Sequence, residues 1–181
     1  MTEKVLVALF SVAVGALLGG AVNAMVGRYA SFKESQAVAA ALRAEIEVVL
    51  AVIERRDHVA GLGRTISHLS IATGPPARDD FYGTMGGTQD AYSVFHANCG
   101  RIGLLGSAAE SVVAAYLRFK AVDADLSSIP ERHQRLPLTR PQLLQAHQGA
   151  RDLLLDAIAR AGVAVTKLQD HERRRFLRCR G

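Results

Sequence analysis

The run Val5–Val26, VLVALFSVAVGALLGGAVNAMV, constrains this chain more than any other feature, because it holds no formal charge. As a helix it would be about 33 Å long, enough to cross a hydrocarbon core of about 30 Å. Arg28, Tyr29 and Lys33 follow where an interfacial anchor belongs. Residues 1–27 therefore read as a transmembrane anchor and 28–181 as a soluble helical bundle domain. A secretory signal is the alternative, since Val22-Asn23-Ala24 fits a cleavage site that would release a periplasmic helical protein after Ala24. Against it, Glu3 offsets Lys4 and the apolar run exceeds a usual signal core. Lys4 on one side and Arg28, Lys33 and Arg43 on the other place the C-terminal domain in the cytoplasm of a bacterial inner membrane.

The anchor carries a second pattern. Ser11, Gly15, Gly19, Asn23 and Gly27 recur every fourth residue and form one narrow stripe on a helix. Small residues let two helix backbones approach closely in lipid, so the stripe predicts self-association.

Beyond the anchor, the fold class expected is all-α, with about four bundle helices. Hydrophobic residues are 49%, aromatics only 6%, and Trp is absent, which favours helices over sheets. No proline occurs before Pro75, and Val38, Leu42, Ile46, Val49 and Ile53 form an apolar seam, so one long helix leaves the anchor and packs on later helices. Gly61 and Gly63 read as punctuation. Residues 73–87, TGPPARDDFYGTMGG, read as a long loop in which Phe81 and Tyr82 pack down at one point. Asp79 and Asp80 can pair on a cation, although adjacent loop aspartates are usually solvated. A helix is expected from Thr88 to Asn98, and Ser107 with Glu110 has capping-box spacing for the next. Ser127–Thr139 reads as a proline-bearing connection, and Thr139 with Gln142 as a second capping box. The last helix would bury Leu144, Leu154, Leu155, Ile158, Val165 and Leu168 and return toward the membrane. The net charge of +5 is concentrated in the tail 173–181, where Arg173, Arg174, Arg175, Arg178 and Arg180 can contact anionic lipid.

Sequence chemistry points away from catalysis. His96 and Cys99 share a helix face, the minimum for an envelope enzyme with an activated thiol, but no third group orients the ring. Cys99 therefore reads as a buried small hydrophobe. Two donors do not make a structural zinc site, and the other histidines lack ligand spacing. Gly100, Gly103 and Gly106 do not match a dinucleotide or phosphate-loop motif. A single basic tail with one aromatic is not a nucleic-acid-binding face. Neither cofactor nor metal is expected. The stretch Asn98, Gly100, Arg101, Ile102, Gly103, Leu104 and Leu105 reads instead as a helix stop at Asn98 or Gly100, an apolar plug and a restart at Ser107.

That turn, followed by Val112, Val113 and Tyr116, resembles the N-x-G-[KR]-[IL]-G-L-L turn of small uncharacterised bacterial membrane-anchored helical proteins. The resemblance covers about 25 residues closely, implies a bacterial membrane-anchored helical protein, and brings no activity. The sequence thus predicts an interaction, scaffold or regulatory module, with membrane lipid, a second copy and an unidentified protein as partners.

Overall fold

The computed structural model describes residues 2–77, 80–82 and 92–174, with side chains from Val14 onward. Among these residues helix is the only regular secondary structure. The elements are α1 (Thr2–Arg55), α2 (His58–Ile71), α3 (Ser93–Asn98), a 3-10 segment (Cys99–Ala108), α4 (Ala109–Arg135) and α5 (Arg140–Glu172).

α1 runs unbroken for 54 residues, about 81 Å at the usual helical rise. It stops at Arg56 and Asp57, where Asp57 takes the left-handed conformation (φ 52°, ψ 39°). α2 then starts at once and runs through Gly61 and Gly63 without interruption. These glycines are therefore helical, and the break lies before them. Tertiary packing explains the difference: Gly61 and Leu62 are buried, and that burial outweighs glycine's weak helix propensity of about 1 kcal/mol.

The core is coiled-coil-like. On α5 the buried positions are Leu143, His147, Ala150, Leu154, Ala157, Ala161, Ala164, Leu168 and His171, spaced alternately four and three apart. On α4 Val112, Ala115, Phe119, Val122, Leu126 and Ile129 keep the same spacing, as do Ser35, Ala39, Leu42, Ile46, Val49 and Ile53 on α1. Such a period sets one seam per helix against its neighbours. The α1 seam expected from the sequence packs on the chain's own helices. On α5, however, Leu155 is exposed and Leu144, Ile158 and Val165 are only half-buried. The small alanine seam lets α5 approach closely, and those larger residues flank it.

Two helix ends differ from expectation. α4 continues through Ser127–Arg135 with Pro130 inside it, so the connection shrinks to 136–139. Pro130 removes one backbone donor, but buried Leu126 and Ile129 hold the helix in the core. The His133 Nδ1 accepts the Leu138 N–H at 3.0 Å and closes the short turn. There the expected capping box forms, with the Thr139 N–H donating to Gln142 Oε1 at 2.9 Å. The one expected from Ser107 and Glu110 does not form, and α4 begins at Ala109 behind Ala108, with no side-chain cap.

Candidate functional site

α1 has a bare half. From Val14 to Ser31 every residue is exposed. Leu17 is 74%, Leu18 62%, Val22 60% and Val26 62% exposed. Gly15, Gly19 and Gly27 each face open space, Asn23 is exposed, and Ser11 lies outside the described side chains. The bare face continues where α1 joins the bundle. Ala37, Ala44, Val48 and Ala51 are exposed there, with Val48 at 62%. At about 100° per residue, positions 15, 19, 37, 44, 48 and 51 fall on one side of the helix.

The end of α5 returns to the point where the bare half ends. The His171 Nε2 lies 3.2 Å from the Ser35 hydroxyl. That hydroxyl donates to the Phe32 carbonyl at 2.9 Å, so the imidazole supplies the other proton. Burial holds His171 below the usual histidine pKa, and Arg174 adds to this. Gln36 Nε2 donates to the carbonyls of Glu172 (3.1 Å) and Arg174 (3.2 Å) and caps the helix. Arg43 forks onto Glu172 at 2.7 and 3.3 Å and onto Glu47 at 3.0 Å. Arg173 and Arg174 are thereby fixed, exposed, at the foot of the bare helix; Arg175, Arg178 and Arg180 lie outside the described residues.

The glycine-rich turn sits on the same foot. Its left-handed residue is Gly106 (φ 55°, ψ −123°). Asn98 (φ −111°, ψ 8°) and Cys99 (φ −50°, ψ −43°) carry the helical path onward instead, so the stop lies later than expected. Ile102 and Leu105 are buried and Leu104 half-buried, as a plug requires. Arg101 pairs with Glu34 at 3.2 Å. Both glycines at 100 and 103 face open space.

α3 begins where Glu45 places its carboxylate. The N–H groups of Val94 and Phe95 donate to it at 2.7 and 3.0 Å, and the Tyr116 hydroxyl at 2.5 Å. Tyr116 also stacks on Phe95, with ring centres 4.0 Å apart, and meets Tyr92 edge-on at 5.7 Å. Burial and Glu45 push the Tyr116 hydroxyl far above the usual tyrosine pKa, and burial pushes Tyr92 up to about 12.

Cys99 is exposed, not the buried small hydrophobe expected; its Sγ contacts the Phe95 carbonyl at 3.3 Å, and among the described residues it makes no bond to His96. His96 is exposed and sits against the Phe95 ring at 5.8 Å. The reason is register: Val94 and Phe95, not Cys99, carry the inward side of α3. Among the described residues no group of three or more His, Cys, Asp or Glu could hold a metal ion.

A buried polar cluster was not legible in the sequence. Asp80, expected to be solvated, is fully buried. It accepts the Ala77 N–H at 2.7 Å and pairs with Arg140 at 3.2 Å. His68 Nδ1 lies 2.9 Å from its other oxygen, without the angle of a directed hydrogen bond. Asp79 lies outside the described residues. Tyr82 packs down as expected. Its hydroxyl is 2.7 Å from His58 Nδ1, and its N–H donates to His147 Nε2 at 3.2 Å. His147 is fully buried, and its Nδ1 donates to the Leu143 carbonyl at 2.8 Å. The adjacent Phe81 meets His133 edge-on at 4.8 Å. The Tyr82 ring lies close on α2, where a Cβ on Gly61 would come within 2.7 Å of it.

By length and composition alone, Ser93–Arg135 is the described stretch that could cross a membrane. It is broken at Gly106 and supplies the α4 seam, so it is a core helix. No family model matches the chain, and no curated protein or solved structure matches it either.

Proposed function

We propose that the chain is a single-pass, membrane-anchored helical protein that works as an interaction, scaffold or regulatory module at a bacterial inner membrane. The bare half of α1 carries this reading. Its leucines and valines are exposed among the described residues, and the uncharged run Val5–Val26 extends it to spanning length. An exposed apolar surface of this kind belongs against lipid or a partner.

The first partner is a second copy. Two anchors inserted the same way lie parallel, so the face through Gly15 and Gly19 meets its equivalent, and the Ala37–Ala51 side follows in phase. The second partner is anionic lipid. Arg28, Lys33, Arg173 and Arg174 gather at the foot of the bundle, each worth about 1 kcal/mol beside a charged surface. The turn's likeness to small bacterial anchored proteins agrees with this reading.

Alkaline extraction of cell membranes tests the anchor: the chain should remain in the pellet, and release into the supernatant would overturn the proposal. N-terminal sequencing of the mature protein should return the uncleaved start; a start after Ala24 would favour the periplasmic form. For the pairing, Gly15→Ile should reduce self-association in a membrane two-hybrid assay.

A further inference from the structure

We propose that Tyr82 is a proton-released latch, clasped to α2 by His58 and to α5 by His147, and hinged at Asp80. This goes beyond the anchoring role and does not depend on it.

The clasp has three contacts. The Tyr82 ring lies on Gly61, where any Cβ would displace it. Its hydroxyl meets His58 Nδ1 at 2.7 Å, and its N–H donates to His147 Nε2 at 3.2 Å. The last contact fixes the charge state. His147 Nδ1 already donates to the Leu143 carbonyl, so Nε2 is the acceptor and the ring is neutral. A proton on Nε2 would oppose two N–H groups and bury a charge. Burial also favours a neutral His58, but its contact does not select a charge state, because the Tyr82 hydroxyl can donate to Nδ1 or accept from it; the release therefore rests on His147.

The surrounding charges do not compensate. Around His58 and Tyr82 stand Arg56, which opposes a further positive charge, and Asp57, which pairs with Arg64 at 3.0 Å. On the loop, Asp80 attracts a charge on His147, but Arg140 is paired with it at 3.2 Å. Desolvation is the leading influence on both His58 and His147 and favours the neutral rings. His133 faces Phe81. Asp80 is held by other contacts, the Ala77 N–H at 2.7 Å, Arg140 at 3.2 Å and His68 Nδ1 at 2.9 Å. Acid therefore frees Tyr82 while Asp80 stays held, and the two ends of this short segment respond differently.

The sign follows directly. His147 is neutral when latched, so the latch is secure above a free histidine pKa of about 6.5 and loosens as pH falls below it. At about pH 5.5 one histidine that must stay neutral raises the open population about tenfold.

Amide hydrogen exchange of the full-length chain in detergent, read at single residues by NMR, tests this. After correction for intrinsic rates, Tyr82 protection should fall at least about tenfold between about pH 7.5 and 5.5. The Asp80 N–H, which donates to the Ala77 carbonyl at 3.0 Å, should keep its protection. Unchanged Tyr82 protection would overturn the latch, and so would parallel loss at Asp80, which signals general loop opening. His147→Gln keeps an acceptor that does not titrate and should flatten the Tyr82 response; a full response in H147Q would also overturn the proposal. If H147Q does not accumulate, the wild-type contrast between Tyr82 and Asp80 decides.

Discussion

Glu45→Ala removes a half-buried carboxylate that ties α1 to α3 and α4, and it should be strongly destabilising. Its carboxylate receives three donors: the Val94 and Phe95 N–H groups at 2.7 and 3.0 Å and the Tyr116 hydroxyl at 2.5 Å. Tyr116 is only 3% exposed, so its hydroxyl would lose a charge-assisted bond worth about 1.5 kcal/mol or more. The two amides open α3, and losing a helix cap costs about 1 kcal/mol. Together the loss is about 3 kcal/mol, a large share of a domain stability of about 5–15 kcal/mol. Tyr116→Phe removes one of these bonds and keeps the ring stacked on Phe95, so about 1.5 kcal/mol is expected. The E45A/Y116F double variant should cost no more than E45A by about 0.5 kcal/mol, because both remove the same bond. Urea unfolding of the full-length chain in detergent, followed by far-UV circular dichroism, measures all three. Equal costs for E45A and Y116F would refute the cap, and strict additivity would refute the shared bond.

Four further outcomes follow from the fold. Gly106→Ala should cost about 1–3 kcal/mol by thermal unfolding, because φ 55° with ψ −123° suits glycine alone. Gly149→Ala and Gly162→Ala, helical and facing open space, should instead stabilise by about 0.4–1 kcal/mol. Acidification should lower the melting temperature below about pH 6.5, because His58, His147 and His171 are all held below their free pKa by burial and must be neutral when folded; a melting temperature flat from pH 7.5 to about 5 would contradict this. One alanine inserted after Tyr29 should rotate the Gly15 face about 100° away from the Ala44 face and weaken self-association, while seven inserted alanines should restore it.

Large apolar residues at regular spacing were readable, and small or polar ones in the same seams were not. Val38, Leu42, Ile46 and Ile53 identified the α1 seam from sequence, and they are buried. The α5 seam escaped because Ala150, Ala157, Ala161, Ala164, His147 and His171 fill it; alanine marks no face by hydropathy, and histidine marks the wrong one. Glycine misled in both directions. Gly61 and Gly63 read as breaks but lie within a helix, while the real break at Asp57 has no glycine. Gly106, not Asn98 or Gly100, holds the positive φ, because the plug residues Ile102 and Leu105 must enter the core before the chain turns. Asp80 read as solvated because its partner, Arg140, is distant in sequence and only the fold brings them together.

In the proposed anchored pair, the continuity of α1 governs how movement passes from the exposed half to the bundle. A glycine- and serine-rich linker would behave as a flexible coil. Here no proline interrupts α1 and the helix is continuous from Thr2 to Arg55. The bundle is fastened to it over about the next three turns, through Glu34 to Arg101, Ser35 to His171, and Gln36 and Arg43 to the end of α5. Loop entropy therefore cannot absorb a rotation or a tilt of the projecting half. Any change in how two copies pack along Gly15 and Gly19 would reappear along Ala37, Ala44 and Ala51, and the core seam on the opposite side of the same helix would carry it into α4 and α5. A rigid shared helix thus makes the exposed face and the core one mechanical unit, which is the physical content of a regulatory reading for this chain.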